Sequence, residues 1–221
     1  MDDVSGWVER SLGWRPKDVS LFERALTHSS RTEDEDYERL EFLGDRVLGL
    51  AIAAWVYELF PDEPEGKLSR RLNSLVARET CAEVGRDLGV GAQVRLGKQA
   101  RDDGASDSDN VLGDVVEALL GALYLEAGLD AAIAFVRSAW GERVSAQEKA
   151  PKHPKSALQE WAAANDRKSP VYSLANRSGP HHAPRFTVEV EIAGVGKASA
   201  EGLSKQEAET EAAKALLEQL T

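Results

Sequence analysis

Cysteine and methionine each occur once in this chain of 221 residues, and the cysteine count already excludes one class of protein. A lone Cys81 cannot close an intramolecular disulfide, so this is no disulfide-stapled secreted scaffold, and a reducing, cytoplasmic setting fits. No apolar run approaches the roughly 18 residues of a membrane span, and Met1–Arg10, which carries acids and no apolar core, is not read as a signal peptide. A cationic surplus is missing too. There are 27 Lys and Arg against 38 Asp and Glu, a net charge of −11, which argues against a generic nucleic-acid binder. No Ser/His/Asp or Cys/His pattern of nucleophilic catalysis is present. Cys81 reads as a packed, inert thiol and His28 as a packed histidine rather than a catalytic base.

What is present is 42% hydrophobic and 29% charged residues, a soluble globular balance with length for one large or two small domains. The acidity is confined to one part. Residues 1–150 carry 18 basic and 29 acidic side chains, whereas residues 151–221 carry nine of each. The chain changes character at the same place, through the Lys- and Pro-bearing segment QEKAPKHPK at 147–155, which reads as a linker between units 1–146 and 156–221.

The first unit predicts an all-α fold. Helical periodicity covers 4–12, 19–29, 37–59, 66–71, 75–88, 111–127 and 129–146, with Pro16, Pro61, Pro64, Gly89, Gly91 and Gly128 as punctuation. The polar, acidic stretch 100–110 reads as a surface loop. The second unit predicts a small α+β fold of order α-β-β-β-α: a helix at 156–164, strands at 172–176, 185–192 and 196–202, and a last helix to about Leu220. Phe186, Val188, Val190 and Ile192 alternate onto one strand face, and Ser204 with Glu207 forms a capping box for the last helix.

Within the greasiest helices sit isolated acids. Glu38, Glu41 and Asp45 fall within about 60° of one another at the helical repeat, with Leu40, Leu43, Val47, Leu50, Ala51 and Ala54 expected on the opposite, core-facing side. Like charges so spaced cost about a few tenths of a kcal/mol per pair. The device recurs: Asp114 and Glu117, again three apart, lie in the apolar stretch 110–122. A merely solvated face would be the default for one such set. Two sets on two apolar helices point to a divalent-metal site.

The motifs carry a resemblance. ERLEFLGD at 38–45, LTHSS at 26–30 and DVVEALLGALYLEAG at 114–128 resemble the bacterial ribonuclease III family. PKSALQEW at 154–161, SGPHHAPRFTVEV at 178–190 and SKQEAETEAAKALL at 204–217 resemble a double-stranded-RNA-binding domain. The resemblance runs over nearly the whole chain, in order, and implies a helical endonuclease domain at 1–146 that dimerises, with the RNA-binding domain at 156–221. It implies that Glu41, Asp45, Asp114 and Glu117 gather catalytic Mg²⁺, with Mn²⁺ able to substitute, and that Glu38 and Glu65 are supporting acids. It further implies RNA contacts at Gln159, Glu160, Pro180, His182 and Lys205 and a dimer contact at Phe42, which by helical angle falls away from the main apolar stripe. Tyr37 departs from the Asn usual in the family, and loop 101–109 is acidic where relatives often carry Gly and Arg.

The expected activity is Mg²⁺-dependent cleavage of both strands of double-stranded RNA to 5′-phosphates, 3′-hydroxyls and short 3′ overhangs. The expected substrates are ribosomal RNA precursors and structured messenger RNA, cut by a cytoplasmic homodimer with no membrane and no organic cofactor. Mg²⁺ takes oxygen ligands and keeps waters, which carboxylates with open positions allow, and A-form RNA is read by shape through its minor grooves. The alternative is a protein that binds duplex RNA without cutting it; loss of an acid would mark that reading, and all four are present.

Overall fold

The computed structural model describes residues 4–31, 35–147, 149–178 and 184–220. The chain divides into two compact units, Met1–Pro151 and Lys152–Thr221. Among the described residues, no helix is long and apolar enough to cross a membrane.

The first unit is helical: α1 (Val4–Leu12), α2 (Val19–Ala25), α3 (Glu38–Leu59), α4 (Glu65–Leu75), α5 (Arg78–Asp87), α6 (Lys98–Asp102), α7 (Asp109–Ala127) and α8 (Leu129–Ala146). Its axis is α7. Val111, Leu112, Val115, Val116 and the run from Ala118 to Leu123 are all buried, so this helix is apolar nearly all round, as a helix inside a bundle must be. Against it α3 lays Leu40, Gly44, Val47, Leu48, Ala51 and Ile52. Trp140 of α8 closes the core, its indole N–H donating to the Leu75 carbonyl at 2.8 Å.

The structure corrects several sequence expectations. Leu50 and Ala54 are exposed, and Leu48 and Ile52 take their place in the core. The buried stripe is therefore rotated toward the acids, and Glu41 and Asp45 flank it instead of opposing it. Helix α2 stops at Ala25 rather than running to residue 29. The reason is a parallel bridge between Thr27 and Arg95, with Arg95 N–H donating to Leu26 at 2.7 Å and His28 N–H to Arg95 at 3.1 Å. Helix α4 runs on to Leu75 and α5 starts only at Arg78. The stretch read as a loop at 100–110 instead contains the end of α6, a 3₁₀ turn at Ala105–Asp107 and the start of α7. Arg86 gathers its acids, with Asp107 at 3.0 Å and Asp109 at 2.6 Å.

A buried arginine was not foreseen. Arg71 is 1% exposed, paired through two nitrogens with Glu63 at 2.7 and 2.9 Å, stacked over Phe60, and donating to the Gln147 carbonyl at 2.6 Å. A bidentate carboxylate, a carbonyl and an aromatic face compensate the lost hydration of the guanidinium. They tie the end of α8 to α4.

The second unit comprises α9 (Pro154–Ala164), β1 (Val171–Ser178), β2 (Arg185–Ile192), β3 (Gly196–Gly202) and α10 (Lys205–Leu220). The strands form an antiparallel sheet in the order β1-β2-β3, with Tyr172 opposite Val190 and Val190 opposite Ala198. Leu158 and Ala162 of α9 and Ala212, Ala213 and Leu216 of α10 share one core with Val190, Ile192 and Ala198, so both helices cover the same sheet face. The capping box forms: Ser204 Oγ accepts from Glu207 N–H at 3.1 Å, and the Glu207 carboxylate reaches back to the Leu203 N–H at 2.7 Å.

Candidate active site

Two glycines create the site. A methyl group on Gly44 would stand 1.7 Å from the Glu117 carbonyl oxygen, and one on Gly121 would stand 2.3 Å from that of Leu40. Helices α3 and α7 thus cross backbone against backbone, closer than side chains permit. Glu41 and Asp45 bracket Gly44, while Asp114 and Glu117 lie on the turns of α7 leading to Gly121. The crossing sets the two acid pairs face to face.

The acids act on one another electrostatically. Glu117 is pushed up to about 8, first by burial and then by the charges of Asp45, Glu41 and Asp114. Glu41 is raised by burial and by Asp114, Glu38 and Asp45, with Arg78 opposing. Asp114 is raised by burial, against the hydrogen bond from Tyr37 and the charges of Arg78 and His28. Asp45 pairs with its neighbour Arg46. The acids are near enough to feel one another, yet among the described residues no three His, Cys, Asp or Glu groups converge closely enough to hold an ion as placed. The donor set fits the chemistry of a hard divalent cation: it is all oxygen and partly buried, and Glu117 and Glu41 are raised by burial and by the charges of neighbouring acids in spite of Arg46 and Arg78 nearby.

Neighbouring groups fall into place around this centre. The Tyr37 phenol donates to Asp114 Oδ2 at 3.2 Å, and burial followed by the charge of Asp114 pushes its pKa up. Cys81 Sγ lies 4.0 Å from Glu117 Oε1, and burial first, then Glu117, holds the thiol protonated and unreactive. His28 packs its ring edge-on against Tyr37. Glu38 is exposed at the start of α3 and contributes to the field on Glu41. Glu65 opens α4, exposed, accepting from Ser69 Oγ at 2.6 Å, and is not among the charges that chiefly raise Glu41, Asp114 and Glu117. Sequence reading missed both Gly44 and Tyr37. The signal for Gly44 was a glycine inside an apolar helix, flanked by acids.

Phe42 is 65% exposed, with Arg46 over its ring at 4.8 Å, so it belongs to no core of this chain. It borders a groove of about 600 Å³ lined also by Leu21, Arg24, Leu43 and Leu125. Leu125 is itself 56% exposed. In the second unit, Gln159 and Glu160 are exposed on α9, Glu160 pairing with Lys152. Lys205 opens α10, exposed, 3.8 Å from Glu209. Lys155 binds the same carboxylate at 2.6 Å. Pro180 and His182 lie outside the described residues.

A helical unit with acids on two crossing helices, followed by a small α-β-β-β-α unit, is the class that these features define. Residues 18–142 match the family model described as ribonuclease-III-like, and residues 154–220 match the double-stranded RNA binding motif. The chain is 62% identical over 217 residues to a ribonuclease 3 of Zymomonas mobilis, covering 98% of this chain and 88% of that protein. A ribonuclease 3 of Caulobacter vibrioides is 47% identical over 218 residues, covering 96% and 94%. The nuclease domain of a Campylobacter jejuni ribonuclease III superposes with a TM-score of 0.62 at 31% identity, covering 65% of this chain and 97% of that one. The chain belongs to the ribonuclease III family and is an endoribonuclease with a C-terminal double-stranded-RNA-binding domain.

Proposed function

We propose that this protein is an Mg²⁺-dependent endoribonuclease that works as a homodimer and cuts both strands of double-stranded RNA. Its products carry 5′-phosphates, 3′-hydroxyls and short 3′ overhangs, and its substrates are ribosomal RNA precursors and structured messenger RNA in the cytoplasm. The observation that carries the reading is the backbone contact of α3 with α7, which confronts Glu41 and Asp45 with Asp114 and Glu117. These four would hold the ion, Asp45 leaving Arg46 to do so. Bound Mg²⁺ supplies an activated water and neutralises charge on the phosphate; Mn²⁺ would serve too. The acids otherwise repel the polyanion, so the metal eases the approach of RNA to this acidic domain.

Homodimerisation is supported by the exposed Phe42 and Leu125 beside a largely apolar groove, the kind of surface at which proteins associate. Glu38 and Glu65 serve as supporting acids toward the substrate. In the second unit, Gln159 and Glu160 on α9, with Pro180 and His182, meet successive minor grooves. Lys205, at the positive end of α10, meets the phosphates between them.

A gel assay tests the reading. A long RNA duplex is expected to be cut in Mg²⁺, bound but intact in Ca²⁺, and uncut in EDTA, with single-stranded RNA and duplex DNA spared. Binding without cutting in both Mg²⁺ and Mn²⁺ would overturn it in favour of a binding-only protein. Removal of residues 151–221 is expected to weaken duplex binding about tenfold or more at physiological salt and much less at low salt, where the remaining phosphate contacts suffice. A truncated protein with full affinity at both salts would make the second unit dispensable.

A further inference from the structure

We propose that Tyr37 is a positioning residue for the acid quartet, its phenol holding one oxygen of Asp114 and leaving the other to face a cation. The proposal rests on the reading of Glu41, Asp45, Asp114 and Glu117 as metal ligands. Tyr37 stands one residue before α3 and is 4% exposed. Its N–H donates to the Thr27 carbonyl at 2.9 Å, and its own carbonyl accepts from the N–H groups of Leu40 and Glu41, each at 2.9 Å. The backbone is therefore tied both to the chain leaving α2 and to the first turn of the helix that carries Glu41 and Asp45.

The ring is fixed as firmly. His28 meets it edge-on with centroids 5.6 Å apart and planes at 76°. The imidazole is held in turn, its Nδ1 2.9 Å from Ser30 N and 2.8 Å from Ser30 Oγ. From this anchorage the phenol O–H donates to Asp114 Oδ2 at 3.2 Å. One side chain thus links the end of α2, the start of α3 and the acidic turn of α7. A half-buried aspartate among like charges gains by swinging toward solvent, and a single rigid donor opposes that swing. A phenol suits the task because it occupies one carboxylate oxygen only. Hydrogen bonds of this kind orient ligating groups, and their loss costs about 10- to 100-fold in metal affinity or activity.

Tyr37→Phe removes the phenolic oxygen and keeps the ring. In the full-length protein without RNA, Mn²⁺ binding followed by the paramagnetic resonance of the free ion is expected to weaken about tenfold. The melting temperature in EDTA should move by less than about 2 °C, and duplex RNA binding in EDTA should be unchanged. His28→Ala, which removes the buttress but keeps the phenol, should weaken Mn²⁺ binding by a smaller factor, and it carries the test if Tyr37→Phe does not fold. Unchanged Mn²⁺ affinity, with or without a lower melting temperature, overturns the role. Wild-type protein that binds no Mn²⁺ overturns the metal reading and the role with it; that failure is distinct because it appears before any substitution.

Discussion

Gly44→Ala is expected to lower the melting temperature by about 6 °C or more, whereas Gly141→Ala, where a methyl group meets nothing within 4 Å, should leave it unchanged or raise it. In an open helix interior the exchange favours alanine by about 1 kcal/mol, so the two sites should differ in sign. At Gly44 the new carbon would stand 1.7 Å from the Glu117 carbonyl oxygen, 2.5 Å from its carbon and 3.0 Å from Gly121 N. These are backbone atoms and cannot rotate aside. The helices must part along a contact lined by buried residues of both. Overpacking costs about 1–3 kcal/mol and occasionally more; a clash with backbone atoms belongs at the top of that range, and each kcal/mol shifts melting by about 2–4 °C at this chain length. Parting the helices also separates Asp45 from Glu117, so cleavage should fall even at temperatures where the variant is folded. Melting curves of both variants with the duplex gel assay check this. Equal stability of the two would show that α3 and α7 do not touch at Gly44.

Much of this architecture was legible in the sequence because it is written in local spacing. The alternation from Phe186 to Ile192, the Ser204–Glu207 cap and the stop at Gly128 are each decided by neighbours within a few residues, and each forms. The acids of the candidate site could be picked out for the same reason: a charge inside an apolar helix stands out wherever the helix packs. What local spacing does not contain is which face meets which. Leu50 has the position of a core residue and is exposed, because the close approach at Gly44 turns α3 toward α7 and carries Leu48 and Ile52 inward. Helix α2 ends early for a partner, Arg95, some seventy residues away. The acidic stretch 100–110 folds because Arg86 supplies the counter-charge from α5. Tyr37 looked like a departure in a motif, and only the fold brings it to Asp114.

Glu117→Gln is expected to reduce cleavage in Mg²⁺ by more than about a hundredfold, to leave duplex binding intact and to stabilise the metal-free protein at alkaline pH. The first effect follows from its proposed place among the ligands, since an amide keeps the shape but withdraws the charge. The last follows from proton linkage. In the folded protein Glu117 holds its proton up to about 8, against an ordinary value near 4.5. Between these values the folded state keeps a proton that the unfolded chain has released. Stability therefore falls as pH rises through this window, and the full penalty remains above it. Below about pH 4 both states are protonated and this contribution vanishes. Glutamine carries no charge at any pH, so the variant should melt with the wild type in acid and above it at alkaline pH in EDTA. Part of the slope should persist, because Glu41 and Asp114 are raised as well. Mg²⁺ should then stabilise the wild type more than the variant, since a ligand that binds only the folded state adds stability in proportion to its affinity. Melting curves across pH in EDTA and in Mg²⁺, beside the cleavage assay, separate the two effects. Undiminished turnover would remove Glu117 from the ligand set, and parallel melting at every pH would place its carboxylate in solvent.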